Sequence, residues 1–110
     1  MGIQHKELAA GRWSNLSFAE QMANIGSEVE RAINWKNKNN NCYSLLAFER
    51  ALELLDLTIK DGKQNDHLNE LMRLKEELAD YFVSGNIHCT TPESWHNFFY
   101  PYSLAARMDH

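Results

Sequence analysis

Glycine, proline and cysteine are scarce in this chain: five, two and two among 110 residues. So little glycine and proline excludes collagen-like and low-complexity sequences. Two cysteines, Cys42 and Cys89, are too few for a small disulfide-stapled scaffold. They read as reduced thiols, and Met1 to Glu7 lacks an apolar signal core, so the expected location is cytoplasmic. Gly2 could open a myristoylation motif, but Lys6 stands where Ser or Thr is expected. No run approaches the ~20 apolar residues that a membrane span needs. Positive charge is also short, with 11 Lys plus Arg against 15 Asp plus Glu and a net charge of −4. That balance argues against broad contact with a phosphate backbone, so no nucleic-acid partner is expected.

Apolar residues make up 44% of the chain, enough for one core in a chain of single-domain length. The expected organisation is one domain over residues 1–110, with 1–16 as an N-terminal extension that could carry a short turn around Glu7 to Ala10. Ser17 and Glu20 have the S-x-x-E spacing of a capping box. Behind them Phe18, Met22, Ile25, Val29, Ala32 and Ile33 recur at the helical period. The Asn-rich tract Lys36 to Asn41 ends that helix. A second helix is expected over Tyr43 to Lys60, with Leu45, Phe48, Leu52, Leu55 and Ile59 as its stripe and Ala51, Leu54 and Leu57 widening it. Asp61-Gly62-Lys63 supplies a stop. A third runs from about Asp66 to Val83, with Leu68, Leu71, Met72, Leu74, Leu78, Tyr81 and Phe82 inward. Thr91-Pro92-Glu93 opens a fourth, and Pro101 should kink or break it. With connections of about five to eight residues, the predicted fold is an all-α, up-down bundle of four main helices.

Motifs that carry chemistry are absent or incomplete. The glycines are scattered, so no phosphate-cradling loop exists. There is no G-x-S-x-G, and no nucleophilic cysteine is assigned. Glu93-Ser94-Trp95-His96 has the E-x-x-H spacing of di-iron bundles, yet it occurs once and at a helix start. It reads as a capped helix with a surface His. His67, His88, His96 and His110 with the two cysteines lack zinc-ligand spacing. No catalytic residue, metal ligand or cofactor is assigned.

Aromatic crowding near the C-terminus is the most unusual feature. Five of the 12 aromatics, Trp95, Phe98, Phe99, Tyr100 and Tyr102, fall within eight residues. One helix cannot turn all five inward, so some are expected to be exposed or covered by a partner. Trp95, Phe98, Phe99 and Tyr102 are the interface candidates; Trp13 and Trp35 could belong to core or interface. Gly26, inside the first long helix, implies close approach of another backbone. Glu28 and Arg31 beside it form either a solvated pair or a polar network between helices.

The tract Ala47-Phe48-Glu49-Arg50-Ala51-Leu52-Glu53-Leu54, with Trp35 ahead of it, resembles the second helix of a tetratricopeptide unit, in one copy. The helix containing Asn24-Ile25-Gly26-Ser27-Glu28-Val29-Glu30-Arg31-Ala32-Ile33, together with size and helix count, is similar to the HEPN-like domains. That resemblance implies a compact, often dimeric bundle, which can accompany a nucleotidyltransferase or cleave RNA. RNA-cleaving members carry an Arg and a His at a set spacing in a late helix. Here Arg107-Met108-Asp109-His110 is too close, and Arg50 and Arg73 have no His at that spacing. RNA cleavage, if present, would depend on Arg31 or Arg107. The leading expectation is a non-enzymatic interaction module that forms a homodimer or docks as an accessory subunit; the alternative is a HEPN-like RNA-acting or nucleotidyltransferase-partner protein.

Overall fold

Ser17 starts the first long helix as its side chain allows. Its Oγ accepts the Glu20 backbone N–H at 3.1 Å, and the Glu20 carboxylate accepts the Ser17 N–H at 2.8 Å, so both halves of the capping box form. The computed structural model describes residues 12–61 and 65–108; the expected turn at Glu7 to Ala10 lies outside them, as does Gly62. The described chain is all helical. A short turn, α1 (Trp13–Asn15), precedes α2 (Phe18–Asn37), α3 (Asn41–Lys60), α4 (Leu68–Ala79) and α5 (Pro92–Met108). A 3-10 turn, Asn65–His67, leads into α4, and a π-helical turn, Asp80–Ser84, extends it. No described helix is long and apolar enough to cross a membrane.

α2 is the central element, packed on α3 along one flank and on α5 along another, while α4 lies against α3. Met22, Ile25, Val29, Ala32 and Ile33 are buried, as their period predicts. Only Lys38, Asn39 and Asn40 join α2 to α3, shorter than the predicted connection. Asn39 takes a left-handed φ of 62°, and the Asn40 side chain caps α3 through the Tyr43 N–H at 3.1 Å.

The predicted stripe of α3 is rotated. Its buried line is Ser44, Ala47, Phe48, Ala51, Leu54, Leu55 and Thr58, and Leu45 is exposed. Small residues let a neighbouring helix come close, and Ala47 and Ala51 lie on this buried line with Ser44. Ser44 reinforces it by donating to the Ala32 carbonyl at 2.8 Å. On α4 the inward line is Leu71, Leu74 and Leu78, and Leu68 and Met72, expected inside, are exposed. Pro101 does not end α5, which continues to Met108. The carbonyl it deprives of a donor belongs to Asn97, and both residues lie on the exposed side, where water can serve that carbonyl. The 1–16 segment is not wholly an extension. Trp13 is buried, and its Nε1–H donates to Thr58 Oγ1 at 3.1 Å, pinning α1 to α3.

Candidate functional site

α5 begins with a reciprocal cap: Thr91 Oγ1 accepts the Ser94 N–H at 3.1 Å, and Ser94 Oγ accepts the Thr91 N–H at 2.9 Å. From that start Trp95 and Phe99, an i,i+4 pair, enter the core at 3% and 1% exposure. Trp95 meets Tyr81 edge-on, with ring centroids 6.2 Å apart, and stacks on Phe99 at 6.4 Å. Phe99 lies directly over Gly26, where an added Cβ would sit 2.8 Å from Phe99 Cγ. The close approach expected at Gly26 is therefore made by the base of an aromatic side chain.

Of the four interface candidates, Trp95 and Phe99 thus face α2 and α4 rather than solvent. The reason is phase: residues four apart on one helix point the same way, and Phe99 fills the gap over Gly26 while Trp95 meets Tyr81. Phe98 is exposed, and Tyr102 is half-buried between Phe18 and Phe98 at centroid distances of 5.7 and 6.0 Å. Burial, then the Glu70 charge, push the Tyr102 phenol above its ordinary value. Trp35 is also half-buried, edge-on to Tyr43 at 4.9 Å.

The outward side of α5 carries an apolar line that extends beyond residue 102. Tyr100, Leu104 and Met108 follow at i, i+4 and i+8 and are 47%, 40% and 76% exposed. Extending the helical count past Pro101 would have found them. Beside Phe98, a groove of about 390 Å³ runs between α4 and α5. Its floor is Leu74, Trp95 and Phe98, and Arg73 and Glu77 pair at 3.4 Å on its rim.

A second arrangement lies where α4 ends. Asp80 is buried, and its carboxylate gathers three donors from the following loop. Oδ1 accepts the Ile87 N–H at 2.9 Å; Oδ2 accepts the His88 N–H at 3.0 Å and faces His88 Nδ1 at 3.1 Å. The His88 backbone N–H contributes most, ahead of the Ile87 N–H and the imidazole, and together they hold the Asp80 carboxyl below its ordinary value against the opposing push of burial. Gly85, with φ 99°, turns the chain out of the π-helical turn, and Lys36 from α2 donates to the Tyr81 carbonyl at 3.3 Å. Asn86 closes the loop by accepting the Thr90 N–H at 3.0 Å and donating to the Thr90 carbonyl at 2.9 Å. Sequence spacing gave no sign of Asp80, because an aspartate eight positions before a histidine matches no motif.

Glu28 and Arg31 bond to each other at 3.2 Å within α2, with the Arg largely in solvent, so their bond is a local pair and not a bridge between helices. A polar bridge across α2 and α5 joins Glu30 Oε2 to His96 Nδ1 at 3.1 Å. His96 therefore pairs with Glu30 and not with Glu93 of its own E-x-x-H. Cys42 and Cys89 are both free and exposed. Among the described residues no three His, Cys, Asp or Glu side chains gather closely enough to hold a metal ion. Comparison of the chain with protein-family models, with curated proteins and with solved structures finds no match in any of the three.

Proposed function

We propose that this chain is a helical protein-interaction module that self-associates through the outward face of α5. The observation that carries the reading is the exposed stripe Tyr100, Leu104 and Met108, on a helix whose opposite stripe is already seated in the core. An amphipathic helix needs one apolar face to fold, so a second on the same helix is surplus to folding and suits association. A second copy fits the charges of this face. In an antiparallel pair of α5 helices crossing at Tyr100, Glu93 and Arg107 lie equally far from the crossing point. Each would therefore meet its opposite charge on the other copy, as a two-fold interface requires.

Light scattering on the purified chain across a concentration series tests the reading. A dimer that becomes monomeric in Leu104→Glu, with unchanged helical signal and melting, is the expected outcome. Glu93→Arg should weaken the dimer, and adding Arg107→Glu should restore it. A chain that stays monomeric at every concentration overturns self-association.

A further inference from the structure

We propose that His88 is a nucleophilic imidazole that accepts acyl groups from activated esters at Nε2, with Asp80 as its positioning residue. The Asp80 carboxylate already accepts two backbone N–H groups, so it meets His88 Nδ1 as an acceptor, and Nδ1 must carry the ring proton. In the neutral ring this leaves the lone pair on Nε2, at the opposite edge of a side chain that is 56% exposed, while Asp80 is only 8% exposed. The loop that presents it is held shut by the Asn86–Thr90 bonds. It carries a left-handed φ of 54° at Cys89, a conformation that non-glycine residues adopt at a cost and that is over-represented at functional sites. The π-helical turn that positions Asp80 belongs to the same statistical company.

The step balances without any further co-reactant than water. The Nε2 lone pair attacks the carbonyl carbon, the bond to the alkoxy or aryloxy oxygen breaks, and that anion leaves. The ring is then an N-acylimidazolium whose Nδ1–H faces the Asp80 carboxylate, an opposite charge that stabilises it. Water attacks the acyl carbon, the carboxylic acid leaves, a proton goes to solvent, and neutral His88 returns.

The test is hydrolysis of p-nitrophenyl acetate by the intact chain, and the molecule holds its own control. His96 is an equally exposed imidazole whose Nδ1 also faces a carboxylate, but Glu30 is itself solvated, 49% exposed against 8% for Asp80. His88→Gln should remove most of the protein-dependent rate, about threefold or more, whereas His96→Gln should leave it nearly unchanged, because only a desolvated, hydrogen-bonded carboxylate fixes and enhances its imidazole strongly. Asp80→Asn should lower kcat with little change in KM, which a merely structural loss would not do. Equal losses in His88→Gln and His96→Gln, or none in His88→Gln, would overturn the proposal. Should Asp80→Asn fail to fold, the comparison of the two histidine variants in the folded chain still decides.

Discussion

Gly26 and Phe99 pack closely against each other, and their contact sets two opposing effects against each other. Alanine in a helix interior is favoured over glycine by about 1 kcal/mol. A Cβ at position 26, however, would lie 2.8 Å from Cγ and 2.9 Å from Cβ of Phe99, near the root of a side chain that cannot swing away. Overpacking of this kind costs about 1–3 kcal/mol, so Gly26→Ala should destabilise the chain in urea unfolding. In a Phe99→Ala background the same change should become stabilising, because only the helix-propensity gain remains. Trp13 and Thr58 give a second residue-scale test. Thr58→Val keeps the shape and removes the acceptor for the buried indole N–H, at an expected cost of about 1–3 kcal/mol. Asp80 adds a pH dependence. Its carboxyl is held below its ordinary value in the folded state, so its contribution is full above the unfolded-state value and fades as pH falls through the folded one. Asp80→Asn should therefore be less stable than the parent chain at neutral pH, with the gap closing in acid. A gap that stayed constant between neutral and strongly acidic pH would contradict the assignment.

At the scale of elements, helix starts and stops follow from local chemistry. Ser17 with Glu20, Asn40, Thr91 with Ser94, and Gly85 act within a few residues of themselves, which is why sequence spacing located α2 and α5 closely. Ser17→Ala should cost about 1 kcal/mol, read as a lower melting temperature with unchanged helical content in the native baseline. Which face of each helix turns inward was less legible. In α3 the large residues suggested a stripe through Leu45, whereas the buried line runs through Ser44, Ala47 and Ala51, small side chains that a pattern of large apolar residues passes over. In α5 the dense run of aromatics resolved into an inner pair, Trp95 and Phe99, and an outer set that includes Tyr100. The π-helical turn at Asp80–Ser84 had no local signal, since its carboxylate is held by N–H groups of residues 87 and 88.

For the whole molecule, α2 is the organising element: α3 and α5 both pack on it, although α5 lies more than fifty residues further along the chain. The outer face of α5 keeps Tyr100, Leu104 and Met108 exposed, and the dependence of mass on concentration tests the association proposed there. By itself the sequence determined the all-helical class, the caps and the apolar period, because each depends on residues within one or two turns of one another. The tertiary structure alone decided that Phe99 fills the gap over Gly26, that Glu30 rather than Glu93 partners His96, and that Asp80 gathers His88. Those relations depend on how the helices are placed against one another and how the loop returns, and no spacing along the chain encodes them.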